Sequence, residues 1–279
     1  MRSHTSLFLG VVLTTLAGLS FAALLSLVLF ARRLWRMRPA ETPRCPLSRK
    51  GLLQLGVAAL AAVLLMNALG LLARRHTLLT SLEGQVTFAL ATFWIVYPLL
   101  LLLIHRLLGG TWIAWKHAFG LSSAGKGLVA GAAVALGLAV FVPAVVAGIG
   151  WHALLQFVGF SVEPQPVIEW FFKIQDPRLL AGLVVLAVVA APVAEEVFFR
   201  GILHPFLTAR FGSSFGLALG ALAFAGFHLH LPSLAPLFVL AVALALAYEW
   251  SGNLVASIVI HAGFNAVAIA GLLAQRMLQ

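Results

Sequence analysis

The sequence predicts an all-α protein, a polytopic membrane helical bundle of about eight transmembrane helices. Two observations predict it. Hydrophobic residues make up 62% of the 279-residue chain and charged residues only 9%, with a mean hydropathy of +1.06. A soluble domain carries roughly a quarter charged residues, so this chain lacks the polar surface to cover a globule in water. The second observation is run length. A bilayer core takes about 20 apolar residues as helix, and apolar runs of that order lie near 6–31, 51–73, 86–108, 127–150, 179–210, 213–231, 234–249 and 253–275.

The run 6–31 ends in Arg32-Arg33 rather than at a small-residue cleavage site, and it is longer than a signal-peptide core, so it reads as a retained helix. The segment 32–50 holds seven of the 18 Lys and Arg residues, which places it on the cytoplasmic side. Alternation of eight spans then puts twelve basic residues inside and six outside. The stretch 151–178 is too polar to span, and its aromatic content favours an interfacial helix over a packed loop. Gly127/Gly131 and Gly216/Gly220 have the small-xxx-small spacing that lets helices approach closely. No linker or change of composition divides the chain, so 1–279 reads as a single membrane domain whose first four helices occupy 1–150.

Composition also excludes functions. A formal charge of +10 would suggest nucleic acid in a soluble protein, but here the basic residues crowd membrane loops, and no nucleic-acid partner is expected. The single cysteine, Cys45, excludes an intrachain disulfide framework, and no Cys/His cluster of zinc-knuckle type is present. A soluble enzyme and a disordered tail are excluded by hydropathy.

Candidate chemistry lies where ionisable groups interrupt apolar helix, since such groups cost about 2.5 kcal/mol or more in hydrocarbon and mark function. The fifth run places Glu195, Glu196 and Arg200 in one helix. Glu196 and Arg200 lie one turn apart, in the favoured acid-first order for an ion pair. Glu195 points about 100° away and is left for chemistry. The sixth run holds Phe224-x-x-x-His228, followed by His230, and the eighth holds His261-x-x-x-Asn265. With a turn at 211–213, Glu195 and His228 both lie about 24 Å along their helices from that turn and can face each other across a hairpin. His261 lies only about 12 Å beyond Asn253, so either that turn dips inward or the helix tilts.

These three clusters, in this order on successive late helices, resemble the motifs of the CPBP family, the CAAX proteases and bacteriocin-processing enzymes also called the Abi family. Arg200-Gly201 matches the usual continuation of the first motif. The resemblance covers roughly 180–270, so the helices of 179–275 are the CPBP-like catalytic part. It implies an intramembrane glutamic-type endopeptidase. Glu195 would be the general base, and His228 would help it hold and activate water. His261 and Asn265 would donate to the oxyanion, with Glu196 and Arg200 as structural support that orients Glu195.

The resemblance implies a membrane-associated protein or peptide substrate, whether a CAAX-like tail, a leader or a C-terminal sorting tail, cleaved at the lipid bilayer. No cofactor is expected. The alternative is a zinc-dependent protease with Glu195, His228 and His261 as ligands; HExxH is absent, and no carboxylate partner of the histidines is evident from sequence. His228/His230 is then a decoy His-x-His pair. A non-catalytic immunity or scaffold protein is a rival function. So is a transporter, though no internal repeat supports it. Leu/Ala/Arg-rich composition and compact loops point to a bacterial inner membrane.

Overall fold

The computed structural model describes residues 45–73, 80–121 and 126–278, and among them every regular element is helical. The expected first helix, 6–31, lies outside the described residues. The others are α1 (Arg49–Ala73), α2 (Leu82–Leu107), a short α3 (Trp112–Ala118), α4 (Lys126–Phe157), a short α5 (Pro166–Lys173), α6 (Pro177–Phe211), α7 (Ser213–Phe227), α8 (Leu234–Ser251) and α9 (Leu254–Met277). Six of these are long and apolar enough to cross a membrane. Leu53, Val57, Leu60 and Leu64 stand exposed on α1, and Trp94, Ile95, Leu99 and Leu102 on α2. Water would penalise so much exposed apolar surface, whereas lipid does not. The protein is an integral membrane protein.

The sixth expected span is shorter than its apolar run. α7 ends at Phe227 because Leu229 takes φ +50°, a left-handed conformation uncommon for a side chain other than Gly or Asn, and Pro232 then enters a 3-10 turn at Leu231–Ser233. His230 stands in that turn as a structural residue. Its Nδ1 meets Ser233 Oγ at 2.8 Å and its Nε2 meets the Glu163 carbonyl at 3.0 Å. Trp151 and His152 of α4 bond the carbonyls of Leu231 and Pro232. The stretch 151–178 thus divides into the end of α4, a connecting loop and α5. That short helix turns Phe171 inward against Val86 and Leu90 of α2 and Ile269 of α9.

α8 is the central helix. Its alanines at 241, 243, 245 and 247 are all buried, and small side chains let neighbouring backbones approach closely. Ser257, in the first turn of α9, donates to the Leu244 carbonyl of α8 at 2.9 Å and ties the two helices together. The α6–α7 hairpin turns at Gly212, as its sequence predicts, and Gly216 lies directly against the Thr208 backbone. The surroundings of Gly127 and Gly131 lie outside the described side chains.

The turn between α8 and α9 is buried, with Asn253 and Leu254 each 1% exposed. Residues 119–121 roof it: the Leu254 amide donates to the Phe119 carbonyl at 3.0 Å, and a Cβ on Gly120 would overlap the Gly252 carbonyl oxygen. The depth of His261 is thereby accounted for. α9 starts inside the protein, so the seven residues from Leu254 to His261 suffice to reach the interior. Phe119 also lies against Gly201, where a Cβ would come within 2.5 Å of the ring, so the Arg200-Gly201 step needs its glycine.

Candidate active site

α6 carries both glutamates, and it is not a regular α-helix. Five-residue π-turns at Leu186–Ala190 and Phe199–Leu203 flank the α-helical stretch Ala191–Phe198 that holds Glu195 and Glu196. The Ala191 amide bonds the Leu186 carbonyl and the His204 amide bonds the Phe199 carbonyl, each five residues back. The next residue in each case is a proline, Pro192 or Pro205, which has no N–H to offer. Each proline thus strips a donor from the helix, and a wider turn absorbs the defect, a distortion common at functional sites.

The carbonyl that Pro192 cannot serve in this five-residue register is that of Ala187. Asn265 serves it instead, with Nδ2 donating to the Ala187 oxygen at 2.8 Å. The amide of Asn265 is thereby fixed across the α6–α9 interface. Its second N–H and its carbonyl oxygen remain available.

Glu196 is 0% exposed. Its Oε1 accepts from Arg200 Nη1 at 2.9 Å and from His261 Nδ1 at 2.8 Å. Arg200 also donates through Nη2 to the Ala241 carbonyl at 3.2 Å, and its guanidinium lies 4.3 Å from the Phe224 ring centre. A buried carboxylate is tolerable only when so paired. The Glu196–Arg200 pairing expected from spacing is therefore present, and it joins α6 to α7, α8 and α9.

Sequence reasoning saw no carboxylate beside the histidines, and there the structure corrects it. Glu196 is the partner of His261, one turn of helix packing away in space but 65 residues away in sequence.

Glu195 takes no part in that pairing. Its side chain is 15% exposed, Oε1 accepts from the Tyr97 hydroxyl at 3.2 Å, and Oε2 faces His261 Nε2 at 4.0 Å. A gap of that width is too long for a direct hydrogen bond and is the kind that a water bridges. His261 thus stands between the two carboxylates.

His228 closes α7. Its Nδ1 lies 2.9 Å from the Phe224 carbonyl, which can only accept, so Nδ1 carries the proton and a neutral ring presents a bare Nε2. Phe224 explains its own place in the motif. Its ring packs against His228 at 5.0 Å, His261 at 5.6 Å and Phe199 at 5.1 Å, while Arg200 covers it.

Two polar features escaped the sequence reading. Tyr97 reaches Glu195 from α2, well outside the late helices. Glu249, at the end of the seventh apolar run, is buried in α8, where its Oε1 lies 3.0 Å from His204 Nε2. The signals were present: a tyrosine within an apolar span, and Glu196, Arg200 and His204 at successive four-residue steps.

Among the described residues no group of three or more His, Cys, Asp or Glu side chains is gathered closely enough to hold a metal ion. Cys45 packs against the cluster around Phe119, and burial pushes its thiol up, which keeps it from being a ready nucleophile.

Fold and site together define a helical membrane protein with a carboxylate–imidazole centre enclosed by its last four helices and α2. Residues 177–267 match the family model described as type II CAAX prenyl endopeptidase Rce1-like, about a third of the chain. That match bears out the resemblance to the CPBP family read from the three motifs, and all of the motif residues fall inside it. It supports a CAAX-type membrane protease that acts on a membrane-associated protein at the bilayer. No curated protein and no solved structure shows a significant match to the chain.

Proposed function

We propose that this protein is an intramembrane endopeptidase of the glutamic type that cleaves a membrane-associated peptide or protein tail in a bacterial inner membrane. The observation that carries the reading is the division of labour between adjacent carboxylates. Glu196 Oε1 accepts from both Arg200 and His261, whereas Glu195 Oε2 faces His261 Nε2 at 4.0 Å, beyond hydrogen-bond distance. The whole chain acts as one membrane domain, with its N-terminal helices buttressing those of 179–275.

In this mechanism a water sits beside Glu195 Oε2 and the bare Nε2 of His228. Glu195 takes a proton as the water oxygen attacks the scissile carbonyl carbon. The carbonyl oxygen becomes an oxyanion, which receives the Nε2–H of a cationic His261 and the second N–H of Asn265. Because His261 Nδ1 already donates to Glu196, Nε2 can donate only in the cationic ring. Collapse of the intermediate breaks the C–N bond, and Glu195 returns its proton to the leaving amine. These steps use only side chains of this chain, and zinc held by Glu195, His228 and His261 is the alternative that the experiment below decides.

The test uses the full-length protein in lipid nanodiscs and a quenched-fluorescent peptide ending in a farnesylated CAAX box. Asn265→Ala is expected to lower kcat by roughly 10²-fold, the scale of one lost oxyanion donor, with KM little changed. A rise in KM alone would show that Asn265 serves binding. Strong chelation is expected to leave the wild-type rate intact. Inhibition that only added zinc relieves contradicts the metal-free route.

A further inference from the structure

We propose that Tyr97 is a positioning residue for Glu195: its phenol, delivered by α2, pins Oε1 and leaves Oε2 as the oxygen that takes the proton. The inference rests on Glu195 as the general base. It extends the site to a helix outside the matched residues 177–267.

The geometry makes the two oxygens unlike. Oε1 lies 3.2 Å from the Tyr97 hydroxyl, whereas Oε2 lies 4.0 Å from His261 Nε2. Glutamate is among the side chains with most rotamer freedom to lose, and the cation nearest in sequence, Arg200, makes its hydrogen bonds to other groups. Two of the three guanidinium nitrogens of Arg200 are engaged elsewhere, Nη1 with Glu196 and Nη2 with the Ala241 carbonyl. Among the described residues the Tyr97 hydroxyl is the hydrogen-bond donor to Glu195.

Tyr97 is itself held. Its ring meets Phe93 at 5.4 Å and packs in the cluster that includes Leu186, Ala187, Val188 and Ala190 of the first π-turn. The same turn is fastened from the other side by Asn265. α2 and α9 thus both hold α6, α2 through the Tyr97 hydroxyl at Glu195 and α9 through the Asn265 amide at Ala187, eight residues earlier. A phenol in an apolar span is costly unless its hydroxyl finds a partner. Phe would fill the same space without that cost, so the hydroxyl is the informative part of this residue. Pro98, next in sequence, removes a backbone donor from α2 at the same level.

Tyr97→Phe in the full-length protein in nanodiscs separates this role from packing. With the farnesylated CAAX peptide, kcat is expected to fall roughly tenfold or more, the scale of a lost hydrogen bond to a charged group. KM and thermal unfolding are expected to stay near wild type. In a Glu195→Gln background the same change should cost nothing further, since the two act as a unit. A wild-type kcat, or a change confined to KM, overturns the proposal.

An infrared difference spectrum against Glu195→Gln reports the contact without turnover. The carboxylate band of Glu195 should move in Tyr97→Phe while the amide I band stays fixed, and an unmoved band overturns the pinning. A wild type that leaves the peptide intact counts against the protease reading, and the infrared result then decides Tyr97 alone. Equal cleavage by wild type and Glu195→Gln removes the base, and this proposal with it.

Discussion

Glu195→Gln is expected to leave the protein at normal abundance and normal thermal stability while lowering peptide cleavage by roughly 10²–10⁴-fold, the range of a lost general base. The substitution keeps volume and keeps an amide oxygen to accept from Tyr97. It removes a carboxylate whose hydrogen-bond partner is a neutral phenol and whose nearest imidazole nitrogen stands 4.0 Å away. Nothing in the packing of α6 changes, because the buried ion pair belongs to the neighbouring Glu196. The measurement is kcat/KM alongside a melting curve of the same preparation. Retained turnover would remove Glu195 from the mechanism. Loss of both activity and stability would assign it to the fold.

The second large effect is structural. Arg200→Met is expected to destabilise the protein by about 3–5 kcal/mol, the cost of leaving one partner of a buried ion pair uncompensated. Glu196 has no water to turn to, with a side chain 0% exposed. The Ala241 carbonyl also loses its donor, and the Phe224 face loses its cation. Combining Arg200→Met with Glu196→Gln should restore much of the stability, since a neutral pair carries no buried charge. Activity should not return, because His261 loses the carboxylate at Nδ1. Thermal unfolding in one detergent checks both variants. A single variant as stable as wild type contradicts the buried network.

What could be read from sequence was what depends on local spacing. Apolar run length located the long helices to within a few residues in most cases, because hydrocarbon demands continuous apolar surface. The exceptions were α4, which continues through Phe157, and α7, which stops at Phe227. The four-residue step from Glu196 to Arg200 foretold their bond, and the turn expected at 211–213 is the hairpin at Gly212. Of the motif residues, His261 meets Glu196 and faces Glu195, and Asn265 meets α6 at Ala187.

The rest depended on contacts that spacing does not encode. Tyr97 joins Glu195 across 98 residues, and His261 joins Glu196 across 65. The burial of the α8–α9 turn follows from a roof supplied by residues 119–121, which no count along α9 reveals. The π-turns are an intermediate case. Pro192 and Pro205 were visible inside the long apolar run, and each removes a donor that the helix must do without. That the chain widens rather than breaks is decided by tertiary partners such as Asn265, which serves the carbonyl left behind.

The central claim is that Glu195 makes this chain a protease, and a comparison of protein termini tests it most directly. Cells of the source organism would express either wild type or Glu195→Ala at equal abundance, with new N- and C-termini identified by mass spectrometry. The account predicts termini that appear only with wild type and that belong to membrane-associated proteins or peptides. Identical termini in the two strains, with a wild-type phenotype preserved in the variant, would contradict it and favour a non-catalytic scaffold.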